Sequence, residues 1–179
     1  MSSPVVPTPS IPKGGLFTVQ AEARIACPAQ TVFAILLDTA NYVCWNSFVP
    51  EVTIVQSPVS DGSGLVLAVG ARLDFLVNME PSIPSSFWNK MRIAGLEVTC
   101  LDSHRVCWRS HFGSSLLQTA ERVQLVEDDG AGGCRYLTWE TYQGPLAYLV
   151  QYVHGDRLQA RFQDCANDLK RYAESGSQQ

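Results

Sequence analysis

The stretch Phe17-Thr18-Val19-Gln20-Ala21-Glu22-Ala23-Arg24-Ile25 alternates strictly, with apolar residues at odd numbers and polar residues at even numbers. Successive side chains of a β-strand point to opposite faces, so this pattern predicts a strand with one buried face. Pro28 follows, at a position that suits the first turn of a helix, and Val32, Phe33 and Leu36 recur at helical spacing. The sequence therefore predicts a strand followed directly by a short helix.

The C-terminal part of the chain has a different period. Between Leu146 and Ala173 there is no proline, and apolar residues recur every three or four positions, which predicts a long helix with one packed face: Leu158, Phe162, Cys165, Leu169 and Tyr172. Gly155 is the only weak point of this helix. We therefore expect the apolar side of this helix to pack against another part of the domain.

The middle of the chain predicts strands. A second short helix over 38–42 precedes about six strands, expected near 49–55, 71–79, 91–101, 105–112, 119–127 and 135–142. Residues 1–16 are rich in proline, serine and glycine and predict a flexible tail, as do residues 174–179, so we expect one domain over 17–173. The order of elements predicts an α+β fold, an antiparallel sheet with its helices on one side.

Composition excludes several classes of protein. The chain has 179 residues, of which 46% are hydrophobic and 17% charged, so it is not a disordered chain. The net charge of −4 argues against a general nucleic-acid binder. The sequence shows no signal peptide and no apolar run of membrane-spanning length, which predicts a cytoplasmic protein with six reduced cysteines. The many aromatic residues predict a rich core or a lined cavity.

Several short motifs, in this order and spacing, resemble the SRPBCC superfamily of START-like and polyketide cyclase/dehydratase-like helix-grip domains. The motifs are Ala26-Cys27-Pro28-Ala29-Gln30-Thr31-Val32-Phe33, Leu37-Asp38, Tyr42, Trp45-Asn46, Phe48-Val49-Pro50, Arg105-Val106-Cys107-Trp108-Arg109, Glu140-Thr141-Tyr142-Gln143-Gly144-Pro145-Leu146 and Asn167-Asp168-Leu169-Lys170. The resemblance covers residues 17–173. It implies a curved antiparallel sheet of about six or seven strands wrapped around a long C-terminal helix, with an apolar cavity between them.

Two glutamates are candidate catalytic residues. The resemblance places Glu140 on the face of its strand that lines the cavity, and we expect Glu121 to face the same cavity. Two buried carboxylates repel each other, which raises the pKa of at least one and suits it to acid/base catalysis. Two alternatives stay open: each glutamate pairs with an arginine in a structural contact, or the assignment of faces is wrong by one residue. Many relatives carry a glutamate–histidine pair in the region where this chain has Ala120-Glu121-Arg122. The histidine is absent here, or Glu121 replaces it on the inward face, so no role of that histidine transfers.

Aromatic and basic residues are candidates for contacts with a ligand. Trp45 is either such a contact or core packing, and Trp108 either stacks on a flat ligand or fills the cavity floor. Tyrosine hydroxyls in apolar surroundings orient ligand oxygens, and arginines bind the glutamates or the ligand. The remaining candidates are Tyr136, Tyr142, Tyr148, Tyr152, Arg92 and Arg157, with Arg109 as a further pairing partner for a glutamate.

The sequence predicts neither a metal nor a cofactor. The histidines His104, His111 and His154 have no ligand spacing, and no glycine-rich stretch has the context of a phosphate loop. The loop over 78–89 contains Phe87 and Trp88, which predict either a lid over the cavity or the start of the next strand.

Three functional hypotheses follow. The least favoured is an interaction module with a collapsed cavity, because the chain is acidic and carries no partner helix or tail motif, and the other two involve a small hydrophobic molecule bound in the cavity. In the first, the protein is a cofactor-free enzyme that cyclises, dehydrates or isomerises that molecule by acid/base chemistry. In the second, it is a non-catalytic carrier or sequestering protein for a hydrophobic metabolite. The sequence does not indicate an oligomeric state.

Overall fold

The computed structural model describes residues 4–62, 64–80 and 90–176, with the backbone alone of Lys90. Within them the chain forms seven strands, two α-helices and one 3-10 helix, in the predicted order. They are β1 (Phe17–Ile25), α1 (Ala29–Leu37), the 3-10 helix (Thr39–Cys44), β2 (Glu51–Gln56), β3 (Arg72–Asn78), β4 (Lys90–Leu101), β5 (Arg105–His111), β6 (Thr119–Asp128), β7 (Cys134–Gln143) and α2 (Leu146–Gly176).

The strands form one antiparallel sheet in the order β1-β7-β6-β5-β4-β3-β2. The turn between β6 and β7 sets the register at the centre of this sheet. The Asp129 carboxylate accepts hydrogen bonds from the backbone N–H groups of Ala131 and Gly133, while Gly130 and Gly132 have positive φ angles that suit glycine. The turn pairs Asp128 with Cys134. Each step back along β6 is therefore matched by one step forward along β7, so that a residue n positions before Asp128 lies opposite the residue n positions after Cys134.

Helix α2 packs chiefly against β1 and covers one face of the sheet, which we call the inner face. Leu158, Phe162, Cys165 and Leu169 are buried on the packed side of α2, as the period predicts. Tyr172, predicted on the same side, is instead 37% exposed, and Ala173 is buried at 3%. Positions three and four residues after Leu169 both lie near that side of a helix, so the period alone does not choose between them.

The same helix covers the free edge of β1. Gln159 accepts a hydrogen bond from the backbone N–H of Gln20 (3.2 Å) and donates one to its carbonyl oxygen (2.6 Å). Further along, Lys170 Nζ donates to the carbonyl oxygen of Arg24 (2.8 Å). An edge strand otherwise presents unpaired backbone groups to other chains, so these side chains protect the edge.

The N-terminal segment differs from the flexible tail that its composition predicts. Residues 4–16 lie against the opposite face of the sheet, which we call the outer face. The Val6 backbone N–H donates to Thr18 Oγ1 (3.0 Å), and the carbonyl oxygens of Val6 and Pro7 accept hydrogen bonds from Thr141 Oγ1 (2.6 Å) and Trp139 Nε1 (3.1 Å). The backbone N–H and C=O groups of a proline-rich segment cannot form helical hydrogen bonds. Here they form hydrogen bonds with side chains of the strands instead. Strand β6 is consequently buried on both faces.

No helix among the described residues is long and apolar enough to cross a membrane. Phe87 and Trp88, for which the sequence predicts a lid or the start of a strand, lie outside the described residues.

Candidate functional site on the inner face

The β6–β7 hairpin places a group of polar side chains on the inner face, beneath α2. Arg122 lies opposite Glu140, and Gln124 lies opposite Thr138. Because alternate residues share a face, the cross-strand pairs at positions 120 and 126 bring two tyrosines to the same side. We call this set the inner-face cluster: Arg122, Gln124, Tyr136, Thr138, Glu140 and Tyr142.

Arg122 is the buried cation of the inner-face cluster. It is 5% exposed, and its Nε donates to Thr138 Oγ1 at 3.1 Å. Its Cζ lies 4.3 Å from the ring centroid of Phe162 and 5.8 Å from that of Phe48, within the range of cation–π contacts. The guanidinium is therefore held in place from both α2 and the sheet, and it keeps its charge at any physiological pH.

Glu140 is a carboxyl group whose surroundings favour its protonated form. It is partly accessible, and Tyr142 Oη donates a hydrogen bond to its Oε2 at 2.9 Å. Burial raises the pKa of Glu140 above that of an ordinary glutamate, although Arg122 and the Tyr142 hydroxyl oppose the rise. A carboxyl with a raised pKa can both take and return a proton, which is what acid/base catalysis needs.

The two tyrosines of the cluster serve as hydrogen-bond donors. Burial and the nearby Glu140 carboxylate raise the pKa of Tyr142 well above its usual value, so the hydroxyl stays protonated. Its ring stacks on Phe17 with the centroids 4.5 Å apart, which fixes its position. Tyr136 is fully buried and donates to Gln124 Oε1 at 2.5 Å. Both rings therefore belong to the packed interior as well as to the polar cluster.

The expectation that Glu121 shares a face with Glu140 is wrong. Glu121 lies opposite Thr141 and Arg109 on the outer face, because it is one residue away from Arg122. Its carboxylate is fully buried under the N-terminal segment and accepts hydrogen bonds from the Ser10 backbone N–H (2.5 Å), Ser10 Oγ (2.8 Å) and Thr99 Oγ1 (2.5 Å).

These contacts reverse the expected direction of its pKa. Burial raises the pKa of Glu121, but hydrogen bonds from Thr8, Thr99 and Ser10 outweigh it and lower the pKa below the usual range. Arg109 joins the same network, since its guanidinium donates to Ser10 Oγ (3.1 Å) and to Glu97 (2.8 Å). Glu121 is thus a fastening point for the N-terminal segment. Its partners are Ser10 and Thr99 rather than the arginine of the structural alternative, and Arg109 is linked to it through Ser10 Oγ.

The two tryptophan candidates lie on the inner side. Trp108 is 3% exposed, lies opposite Arg122 on β5 and meets the Phe75 ring edge-on with centroids 5.3 Å apart. Trp45 is 7% exposed and contacts Tyr42, with centroids 4.9 Å apart. The indole Nε1 of each tryptophan is buried and makes no hydrogen bond to the described part of the chain.

The other candidates lie away from the inner-face cluster. Tyr148 and Tyr152 are 65% and 90% exposed on the first turns of α2, and Arg157 is exposed on the same helix. Arg92 lies on the outer face and pairs with Asp74 at 2.9 Å. The structure therefore does not bring these four residues to Glu140. Tyr148, Tyr152 and Arg157 lie on the solvent side of α2, where Ala147 is the one buried residue before Leu158, and Arg92 lies on the other face of the sheet. Among the described residues, no group of three or more histidine, cysteine or acidic side chains is arranged to hold a metal ion.

The sequence analysis missed Arg122 and Gln124. A signal for both exists, because the glycine-rich turn over 129–133 is short and pairs residue 128 with residue 134. Counting back along both strands from that turn places residue 122 opposite Glu140 and residue 124 opposite Thr138.

Comparison with known proteins adds to this geometry. No protein-family model matches the chain. A curated protein, Oxopyrrolidines biosynthesis cluster protein O of Penicillium oxalicum, is 28% identical over 189 residues, which cover 93% of this chain and 92% of that protein.

Solved structures agree with the fold. A hypothetical protein of Helicobacter pylori superposes with a TM-score of 0.67 at 16% identity, covering 97% of this chain and 98% of the other. A START superfamily protein of Mycobacterium smegmatis gives a TM-score of 0.61 at 15% identity, covering 88% and 97%. The chain has the START-like helix-grip fold. The resemblance to the SRPBCC superfamily is thereby confirmed at the level of the fold.

A biosynthetic protein also shares this helix-grip fold. The di-domain ARO/CYC protein BexL, of the BE-7585A biosynthetic pathway, gives a TM-score of 0.57 at 12% identity, covering 86% of this chain and 46% of BexL. Identity this low concerns the fold alone, so activity has to be argued from the inner-face cluster.

Proposed function

We propose that this helix-grip protein binds a small hydrophobic, oxygen-bearing molecule at the inner-face cluster and moves a proton on it with Glu140. The observation that carries the proposal is Glu140 itself: the carboxyl of a half-buried residue, with a raised pKa, hydrogen-bonded to Tyr142 and opposite a buried arginine. The reaction class is a cofactor-free cyclisation, dehydration or isomerisation. We expect the ligand to bind in largely apolar surroundings, with a few polar side chains that orient it.

The names of two similar proteins support this reading. One relative is a protein of an oxopyrrolidine biosynthesis cluster, and one structural neighbour is an ARO/CYC protein of a biosynthetic pathway. Both names are those of proteins from biosynthetic pathways, and this supports a small organic ligand for the present chain. They suggest the class of ligand, and the inner-face cluster suggests the chemistry.

The cluster divides the work of a proton transfer between three groups. The Glu140 carboxylate takes a proton from carbon next to a ligand carbonyl. The electron pair of that C–H bond forms a carbon–carbon double bond, and the π pair of the carbonyl moves to its oxygen. The fixed charge of Arg122 stabilises the negative charge that develops there. Glu140 then returns the proton to carbon or to a departing oxygen, while Tyr142, which stays protonated, donates the hydrogen bond that keeps the carboxyl in place.

The second candidate function is a non-catalytic carrier. It is favoured by the fact that Arg122 and Glu140 already have partners within the chain, Thr138 and Tyr142, as purely structural groups would have. A carrier needs the apolar surroundings of the cluster and no group that exchanges protons.

Benzylacetone, a phenyl-substituted ketone, tests the two candidates. Its binding is followed by changes in the protein NMR spectrum, and its chemistry by exchange of the protons next to its carbonyl with deuterium oxide. We expect binding with catalysed exchange, and we expect Glu140→Gln to keep the binding and to lose exchange by about a hundredfold or more. Glu127→Gln, the same change at an exposed position of β6, is the matched control and keeps both.

The outcomes separate the hypotheses. If Glu140→Gln binds the ketone and exchanges it as fast as the unchanged protein, the catalytic role of Glu140 is wrong. Binding without catalysed exchange in either protein favours the carrier. If neither benzylacetone nor the hydrocarbon butylbenzene binds, the proposed ligand class itself is wrong.

A further inference from the structure

Two cysteines lie directly opposite each other on the outer face of the sheet, away from the inner-face cluster. Cys100 of β4 pairs with Cys107 of β5, close to the hairpin turn that joins the two strands. Cys107 shares its face with Arg109, two residues further along β5, because alternate residues of a strand point to the same side. The chemistry of this pair is therefore separate from that proposed for the inner face.

The spacing of opposed residues in an antiparallel sheet suits a disulfide. Such residues have Cα atoms about 4.5–5.5 Å apart, and protein disulfides join Cα atoms at about 4.4–6.8 Å. The register shift between Val98 and Cys100 is accommodated at Thr99 and leaves Cys100 opposite Cys107. None of the six cysteines, all of which are described, forms a disulfide in this structure. The backbone thus holds two thiols at the separation that a disulfide requires.

The thiols of the pair also interact with each other. Burial raises the pKa of Cys107 to about 12, and the charge of Cys100 and a hydrogen bond from its side chain act in the same direction. These contributions require the two sulfur atoms to be close together. Cys107 therefore stays protonated at physiological pH, so the thiolate that begins an exchange reaction has to come from Cys100.

The surroundings of Cys100 are those of a reactive thiol. Cys100 is half-buried, whereas Cys107 is fully buried. Burial lowers the pKa of Arg105, but Cys100, Asp102 and Cys107 together raise it, so the guanidinium lies close to both sulfurs. Cys100 Sγ donates to Asp102 Oδ2 at 3.9 Å, and Arg105 compensates the charge of that carboxylate at 3.0 Å. A half-buried cysteine beside a fixed positive charge is the usual setting of a reactive thiol.

We propose that Cys100 and Cys107 are a redox-active pair that small-molecule disulfides oxidise in the folded protein. The Cys100 thiolate attacks one sulfur of the small disulfide, breaks its S–S bond and releases one small thiol. Cys107 then gives up its proton and attacks the Cys100 sulfur, which forms the cross-strand disulfide and releases the second small thiol. The two cysteines lose two electrons and two protons in all, and the small disulfide takes up both.

The other cysteines provide comparisons within the same chain. Cys27 and Cys134 are also neighbours, since Cys27 adds to the effect of burial that raises the pKa of Cys134 to about 11. Both are only 1% exposed, so we expect neither to begin an exchange in the folded protein. Cys44 is exposed on the 3-10 helix and reports whether the oxidant reacts with a surface thiol.

The test uses the full chain and glutathione disulfide. After incubation the protein is unfolded in urea, its remaining thiols are blocked with N-ethylmaleimide, and tryptic peptides are identified by mass spectrometry. Trypsin cleaves after Arg105, so a disulfide between Cys100 and Cys107 joins two peptides that are otherwise separate. We expect this joined peptide, with glutathione on Cys44 and with Cys27 and Cys134 blocked by maleimide.

Single substitutions then assign the role of each thiol. Cys107→Ala removes the second thiol, so Cys100 should retain glutathione as a mixed disulfide. Cys100→Ala should leave Cys107 reduced, with glutathione added at least tenfold more slowly than to Cys100 in the first variant. Cys44→Ala is the matched control and should give the joined peptide in unchanged yield. Thermal denaturation checks that each variant is folded, and the joined peptide in the unchanged protein tests the pair without any substitution.

Three results would overturn the proposal. The first is glutathione on Cys44 with no joined peptide at any concentration of glutathione disulfide. The second is a joined peptide that forms only when the incubation itself is carried out in urea. The third, which contradicts the order of the two steps, is glutathione on Cys107 of Cys100→Ala as fast as on Cys100 of Cys107→Ala. None of these results bears on Glu140, which lies on the other face of the sheet.

Discussion

Glu121 and Glu140 sit on adjacent strands, on opposite faces of the sheet, and their surroundings shift their pKa values in opposite directions. Burial raises both, but only Glu121 receives enough hydrogen bonds to reverse the shift. A carboxylate that accepts several hydrogen bonds is a stabilising charge, whereas a poorly compensated one favours protonation. The two residues are therefore expected to respond to acid in opposite ways.

Glu121 should contribute to acid lability. Its folded-state pKa is lowered, so the stability it contributes is present above its ordinary pKa and is lost as pH falls through the folded value. Glu121→Gln is expected to cost about 1–3 kcal/mol near neutrality, because Ser10 and Thr99 lose their charged acceptor. Its free energy of unfolding in urea should then vary less with acid pH than that of the unchanged protein. Equal pH slopes for the two proteins would contradict this account, and Glu127→Gln serves as the exposed control.

Glu140 should change the pH dependence of the free energy of unfolding in the opposite direction. Its folded-state pKa is raised, so its favourable contribution is complete below its ordinary pKa and declines as pH rises through the folded value. Glu140→Gln removes that decline, and the variant should gain stability relative to the unchanged protein as pH increases. Urea unfolding at a series of pH values measures the difference. A constant difference at every pH would mean that Glu140 titrates as an ordinary exposed glutamate.

At the scale of the elements, α2 does two separate jobs along its length. Its C-terminal half packs apolar side chains on the sheet, and its Gln159 and Lys170 satisfy backbone groups on the free edge of β1. Its first turns expose Tyr148 and Tyr152. The division explains why the regular period after Leu158 predicted the packed side, whereas the earlier aromatic residues were assigned to a cavity wall that they do not line.

The protection of the β1 edge can be tested at Gln159. Gln159→Ala removes both hydrogen bonds to Gln20 and should lower the free energy of unfolding by about 1–2 kcal/mol. The Gln20 amide should also exchange with solvent faster by local opening. Gln151→Ala, at an exposed position of the same helix, should change neither measurement. Unchanged exchange at Gln20 in the Gln159 variant would show that the edge is protected by other means.

Strand β6 shows how far a sequence pattern reaches. The alternation of side chains along β6 shows which of its residues share a face, and the short turn before β7 determines which residues of β7 lie opposite them. Neither tells which face packs on α2, because both faces of β6 are buried and both carry apolar and charged residues. The assignment of Glu121 to the inner face failed for this reason, whereas Glu140 was placed on the correct face through the resemblance.

For the molecule as a whole, the sheet carries a layer on each face: α2 on the inner side and residues 4–16 on the outer side. Removal of residues 1–10 should uncover Glu121 and Trp139 and lower the free energy of unfolding by about 2 kcal/mol or more. Urea unfolding followed by far-UV circular dichroism measures the loss, and Trp139 fluorescence should shift to the red as its indole meets water. A truncated protein of unchanged stability and fluorescence would contradict the role of this segment.

The order of strands and helices, the packed side of α2 beyond Leu158 and the START-like fold could all be predicted, because they depend on periodicity and motif order along the chain. The meeting of Arg122, Gln124 and Glu140 beneath α2, and the role of Glu121 in fastening the N-terminal segment on the other side, depend instead on how the folded elements pack. The physical reason is that a strand's two faces differ only in what packs against them. A proline-rich segment without periodicity gives no sign of its partner until the sheet has formed.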